Sequence, residues 1–199
     1  MFYQWIKIFL KIIRKIISKI CGFNRDFYTF EWDGETFYLN YESASKYHAD
    51  RSMKKLHDLA NLIDPAAKVI IDVGANCGVF ARLAAVRCPD AEVHCFEPST
   101  SLQPALKMNR EGLSGIRVWQ QAISDAEGHA TLFKNLNSEQ TNSIRRDAVE
   151  PFLEGINMAE EVVTTTTIDE FCKAQKIVKM RFVIHHLERY APAANYPEY

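Results

Sequence analysis

The sequence predicts an α/β fold in which a doubly wound parallel sheet is covered by helices on both faces, and three observations lead there. Val69-Ile70-Ile71-Asp72-Val73 is a nearly continuous apolar run, the pattern of a strand buried on both sides. A glycine-bearing turn, Gly74 to Gly78, separates this run from a helical stretch at Val79 to Val86. The unit then repeats, with Glu92 to Glu97 as strand and Ser101 to Arg110 as helix, before Ile116 to Ile123 makes a third strand. Strands alternating with helices are the mark of a parallel sheet whose crossovers are helical.

Ahead of this body, residues 1–20 form the clearest amphipathic pattern in the chain. On a wheel of about 100° per residue, Lys7, Lys11, Arg14, Lys15 and Lys19 fall in one arc, with Trp5, Phe9, Leu10, Ile13, Ile16 and Ile20 opposite. Lysines recur too often for a bilayer span, and the segment lacks the uncharged core and cleavage site of a secretory leader. An all-basic polar face suits a helix lying in the interface of an anionic membrane; the alternative is that its apolar face packs on the protein's own body or on a partner. Cys21-Gly22 ends the helix. Phe27 to Trp32 and Glu35 to Tyr41 are aromatic and β-prone, and Asp33-Gly34 between them is the chemistry of a two-residue hairpin turn. Its aromatics are read as a face packed on the domain, with a sugar-stacking platform as the lesser reading. Residues 43–62 carry apolar side chains near helical spacing until Asp64-Pro65 interrupts them. The expected organisation is therefore a basic helix at 1–22, a hairpin and helix leading inward at 23–64, and the α/β domain at 65–199.

Composition narrows the function. A chain of 199 residues with 47% hydrophobic and 25% charged residues can bury a core without disulfides or a structural metal. The 24 basic and 25 acidic residues nearly balance, yet residues 1–25 hold six basic groups and no acid, which leaves 18 against 25 on the body. An acidic body argues against nucleic-acid binding, which places its basic footprint on the folded domain. The five cysteines form no CxxC pair and their odd count fits reduced thiols in a cytoplasmic setting. The six histidines show no metal-ligand spacing, so no metal is expected.

The chemistry-bearing pattern is Asp72-x-Gly74-x-Asn76-x-Gly78 at the first strand-to-helix turn. Glycine at 74 and 78 lets the backbone bend and lets a ligand approach without a Cβ in the way. The following helix offers its N-terminal amides at the same end of the sheet. Glu97 closes the next strand, where an acid can accept hydrogen bonds from both hydroxyls of a ribose. The spacing is not the Gly-x-Gly-x-x-Gly of dinucleotide binding, which makes NAD the poorer fit.

With these residues in place the chain resembles class I S-adenosylmethionine-dependent methyltransferases, and among them the FkbM family. The resemblance rests on VIIDVGANCGVFARLAA (69–85), HCFEPSTSLQPALKMN (94–109), VWQQAISDAEGHATLF (118–133) and VTTTTIDEF (163–171). It implies a Rossmann-like sheet with S-adenosyl-L-methionine as cofactor. Asp72, Gly74, Ala75, Asn76 and Gly78 would line its methionine and ribose end, and Glu97 would hold the ribose hydroxyls. Pro98 and the Ala122-Ile123-Ser124 strand end would lie by the adenine. The reaction implied is methyl transfer to a hydroxyl of a sugar, glycolipid or polyketide, at the inner face of a membrane where the basic arm engages one. No residue is assigned as the base.

The resemblance stops after Phe171. There the family runs into a strand resembling Leu-Lys-Ile-Asp-Val-Glu-Gly, whereas this chain reads CKAQKIVKMRFVIHHLERYAPAANYPEY. Ile177 to Ile184 has the composition of a strand but no acid or glycine at its end, and Glu188 is the next acid. The expectation is a sheet of about four strands that ends early, as a frameshift or early stop would leave it. Val69–Val73 and the third strand would then be partly uncovered, and stability would be marginal. The competing functional reading is a catalytically inactive fragment that binds the cofactor or a membrane.

Overall fold

A computed structural model describes residues 27–40, 46–135, 142–149, 158–178 and 182–185. The basic helix expected at 1–20 and the segment around Glu188 lie outside the described residues.

The hairpin forms as its turn chemistry dictates. β1 (Phe27–Trp32) and β2 (Glu35–Asn40) pair antiparallel from Phe27↔Asn40 to Trp32↔Glu35. Asp33 (φ 50°) and Gly34 (φ 79°) both take the left-handed backbone that such a two-residue turn requires. Helix α1 (Lys46–Asn61) follows and stops before Asp64, which accepts a hydrogen bond from the Ala66 amide.

The body is a four-stranded sheet in the order β5-β4-β3-β9, parallel throughout: β3 (Val69–Val73), β4 (Glu92–Phe96), β5 (Ile116–Trp119) and β9 (Phe182–His185). Helices α2 (Val79–Arg87) and α3 (Gln103–Arg110) cover one face, and the hairpin and α1 join them there. Phe37, Met53 and Ile63 thus share one core with Ile70, Phe80 and Leu106. On the opposite face Phe171, from α5 (Ile168–Gln175), meets Ile71, Val73 and Phe96. Its ring stands edge-on to Phe96 at 4.7 Å and to Trp119 at 5.2 Å. Helices on both faces of a parallel sheet make this a Rossmann-like, doubly wound fold.

Three expectations need correction. The uncovered strand is not seen: Ile70, Ile71 and Asp72 are inaccessible to solvent and Val73 nearly so, because β9 pairs with the side of β3 that β4 leaves open and Phe171 seals the face. The third strand does not run through to Ile123. Trp119 accepts the ladder bond from the Glu97 amide, then Gln120 turns away and its carbonyl accepts from Thr164 Oγ1. Residues 122–123 become β6 (Ala122–Ile123) of a separate three-stranded sheet, β6-β8-β7, with β7 (Gly128–Asn135) and β8 (Met158–Thr166). Those last two strands lie where the pattern predicts none. In β8 the exposed Glu160, Val162 and Thr164 alternate with buried Val163 and Thr165, a half-polar strand held by pairing with a distant segment. A four-residue helix, α4 (Arg146–Val149), packs on β7.

Candidate functional site

The carboxyl ends of the parallel strands are where ligands bind in open sheets of this kind, and here the Gly74–Gly78 turn and the end of β4 are joined into one piece. The amides of Gly74 and Ala75 both donate to the Phe96 carbonyl, at 2.8 and 3.0 Å. The Asn76 amide donates to Glu97 Oε2 at 2.9 Å. Within five residues Gly74 (φ 73°), Asn76 (φ 52°) and Gly78 (φ 78°) are all left-handed, and asparagine is one of the few residues with a side chain that tolerates this. Its own Oδ1 accepts from the Cys77 amide at 2.8 Å, which holds the turn from within. No side chain caps α2, whose N-cap is Gly78.

Both glycines take the left-handed backbone that the turn needs. A Cβ on Gly78 would stand 3.1 Å from Leu106 Cγ and 3.8 Å from Asn109 Cβ, so its bareness also serves the close approach of α3. Gly74 is needed for its backbone angle beside Phe96.

Glu97 is almost wholly buried, and two backbone amides orient it: Asn76 on Oε2 and Ser99, at 2.8 Å, on Oε1. These two bonds, one to each carboxylate oxygen, set its direction. Gln103 Nε2 donates to the Glu97 carbonyl at 2.7 Å, which fixes the loop through Pro98 from the helix side. Asp72 is fully buried on β3 and lies opposite Cys95 in the register. Burial, and then the Asp72 carboxylate, push the Cys95 thiol well above its ordinary range despite the opposing pull of Arg110, so Cys95 is a neutral thiol.

Of the remaining expected positions, Ala75 is buried in the turn and Ile123 packs against the cluster of Val73, Phe96 and Phe171. Ala122 is directed elsewhere: it is buried with Leu132 and Val163 in the core of the small sheet. Sequence patterns missed Asn109, which is fully buried and bonds to both β2 and the turn. They also missed a polar latch in which Glu161 Oε1 accepts from the Thr100 amide at 3.1 Å and from the Thr100 hydroxyl, while Lys134 Nζ reaches Glu161 Oε2 at 3.1 Å and Ser101 Oγ at 2.9 Å. Burial raises the Glu161 pKa, but the bonds from Thr100 and Lys134 outweigh it and hold the carboxyl below its usual range. Asn109 and Thr100 fall within the stretch 94–109 without a role assigned to them and Lys134 and Glu161 fall outside the quoted stretches; only the three-dimensional proximity of β8 to the β4–α3 loop reveals the latch. Among the described residues no group of three or more His, Cys, Asp and Glu side chains is placed to hold a metal ion, and no helix is long and apolar enough to cross a membrane.

Comparison with known proteins places this arrangement in context. No family model matches the chain. It is 32% identical over 127 residues to methyltransferase sdnD of Sordaria araneosa, covering 56% of this chain and 48% of that protein. It is 44% identical over 62 residues to the 31-O-demethyl-FK506 methyltransferase FkbM of Streptomyces tacrolimicus, covering 30% of this chain and 24% of that one. Among solved structures, that of P. horikoshii TYW2 in complex with MeSAdo superimposes with a TM-score of 0.40 at 14% identity, over 57% of this chain and 48% of that chain. The chain spans about half the length, or less, of these curated relatives. At modest identity, the chain is thus similar in sequence to methyltransferases of the FkbM-like family.

Proposed function

We propose that the chain binds S-adenosyl-L-methionine in the crevice above Gly74–Gly78 and Glu97 and transfers its methyl group to a hydroxyl of a small molecule, glycan or lipid-linked acceptor. The observation that carries this reading is the bond between the Asn76 amide and Glu97 Oε2, which welds the glycine turn and the strand-end acid into one preformed unit at the carboxyl ends of parallel strands. The donor set suits the cofactor. A nearly buried carboxylate, oriented by two amides, is suited to a vicinal diol, and the uncapped start of α2 favours an anionic group such as an amino-acid carboxylate. The similarity to an O-methyltransferase supports a hydroxyl as acceptor.

The cofactor supplies an activated methyl group on a sulfonium. Held by Glu97 and the Gly74–Gly78 turn, it would give up that methyl group to the acceptor oxygen, whose proton would pass to a base or to water. The chain's own contribution is positioning, since the electrophile arrives activated. Isothermal titration with S-adenosylhomocysteine tests the reading: micromolar binding is expected, and no binding would sink it. Binding without methyl transfer to any hydroxyl acceptor would favour the non-catalytic alternative.

The basic arm would deliver this body to an anionic surface, a reading that rests on the amphipathic pattern of residues 1–20. Co-sedimentation with phosphatidylserine vesicles is expected to weaken as salt rises, because each basic group contributes about 1 kcal/mol at most and is screened. Deleting residues 1–20 should abolish most of it. Equal pelleting of the deleted protein would count against the arm.

A further inference from the structure

Asn109 sits at the last turn of α3, fully buried, and uses all of its side-chain amide on backbone groups far away in sequence. Its Oδ1 accepts from the Tyr38 amide at 2.8 Å and its Nδ2 donates to the Tyr38 carbonyl at 2.6 Å. The same Nδ2 donates to the Cys77 carbonyl at 2.7 Å. The side chain therefore pairs with the outer edge of β2 as a neighbouring strand would, and at once grips the glycine turn between Asn76 and Gly78. Arg82 reinforces the junction, with Nη2 2.6 Å from Glu35 Oε2 and Nη1 donating to the Asn109 carbonyl at 3.0 Å. Gly78 lacks a Cβ where Leu106 and Asn109 press against it, so the contact depends on close approach of α3 to the turn.

We propose that Asn109 is a positioning residue for the cofactor, holding the Asn76–Gly78 turn in its binding shape through the Cys77 carbonyl and coupling that shape to the β1–β2 hairpin. This rests on the cofactor reading above. The physical ground is that Asn76, inside the turn, holds a left-handed backbone that a residue other than glycine keeps only where its surroundings over-determine it. Asn109 supplies one of those constraints from outside the turn, and its other two bonds tie the constraint to β2. Coupling of this kind is reciprocal: a ligand that steadies the turn must also steady the hairpin edge.

The test uses the full 199-residue chain and S-adenosylhomocysteine as probe. Asn109→Asp keeps an acceptor for the Tyr38 amide but presents oxygen, not N–H, to the Tyr38 and Cys77 carbonyls. It is expected to raise the dissociation constant at least tenfold. Ile63→Ala is the control for general destabilisation, since Ile63 lies by Arg87 at the far end of α2 from Gly78; it should lower the melting temperature and leave affinity within twofold of the parent. A folded Asn109→Asp protein that binds like the parent would overturn the proposal. Should that variant not fold, hydrogen exchange on the parent decides: the probe is expected to slow exchange of the Tyr38 amide as well as that of Asn76 and Cys77. Protection confined to the turn, with Tyr38 unchanged, would refute the coupling. A parent that binds no probe overturns the cofactor reading and this inference with it, whereas a binding parent with an indifferent Asn109 overturns this inference alone.

Discussion

Glu97 is the residue on which the candidate site turns, because its two amide partners fix a nearly buried carboxylate at the end of β4. Glu97→Ala should weaken S-adenosylhomocysteine by about 1–3 kcal/mol, the range of hydrogen bonds to a charged group, as read by titration calorimetry. Gly78→Ala is expected to act on stability, by about 1–3 kcal/mol in urea unfolding, since alanine must adopt a left-handed backbone and push Leu106 aside. His94 makes a separate prediction. It is buried on β4 between Trp119 and Phe171, and Trp119 Nε1 donates to its Nδ1 at 3.3 Å. Burial lowers its pKa, Arg117 adds to this, and the nearby Glu92 only partly opposes it. Folded His94 thus refuses a proton that the unfolded chain accepts below about pH 6.5. The stability this represents is present above that pH and is lost as pH falls through it. The urea midpoint should decline between pH 7.5 and 5.5, and His94→Phe should flatten the decline; an unchanged slope in the variant would assign it elsewhere.

Among elements, the antiparallel β7–β8 pair is latched to the β4–α3 loop, just after Glu97, by Glu161, Thr100 and Lys134. The ion pair is largely shielded from water, with Lys134 13% and Glu161 22% exposed. Glu161→Gln retains an acceptor for Thr100 but loses the charge that faces Lys134, whereas Glu161→Ala also leaves the Thr100 amide without its acceptor and Lys134 with Ser101 alone; Glu161→Ala should cost about 1–3 kcal/mol in urea unfolding and Glu161→Gln less. Because the Glu161 pKa is depressed in the fold, its contribution is present above the ordinary carboxylate pKa of about 4.3 and fades as pH falls below it. The difference between parent and Glu161→Ala should therefore shrink towards pH 3.

For the whole molecule, the shared core predicts one cooperative unit. Phe37 from the hairpin is inaccessible to solvent and lies with Phe80 and Leu106 from α2 and α3. Phe37→Ala should lower stability by about 3–5 kcal/mol, the usual loss for a buried aromatic ring. With Trp5 replaced by Phe, Trp32 reports the hairpin and Trp119 the end of β5, and removing either in turn should leave unfolding curves with the same midpoint. Separate midpoints would mean that the hairpin melts independently.

What the residues themselves determined is what short-range chemistry decides. Asp33-Gly34 specifies its turn because only a left-handed backbone closes a two-residue hairpin, and these residues adopt it. Val69–Val73 declares a doubly covered strand by its unbroken apolarity, and the glycine turn and Glu97 follow at intervals that parallel strands impose. The tertiary structure alone decided the rest. Asn109 would pass for an ordinary polar residue near a helix end, yet its partners stand 71 and 32 positions away. Glu161 meets Thr100 across 61 positions. The break after Trp119 and the pairing of β9 beside β3 likewise follow from which distant segment offers the next hydrogen bond, the Thr164 hydroxyl and the β8 backbone in the first case and the β3 backbone in the second. Local sequence encodes backbone angles and burial period, whereas the pairing of a buried polar group is set by whatever the completed fold brings within about 3 Å, so these contacts became legible only once the elements had been packed.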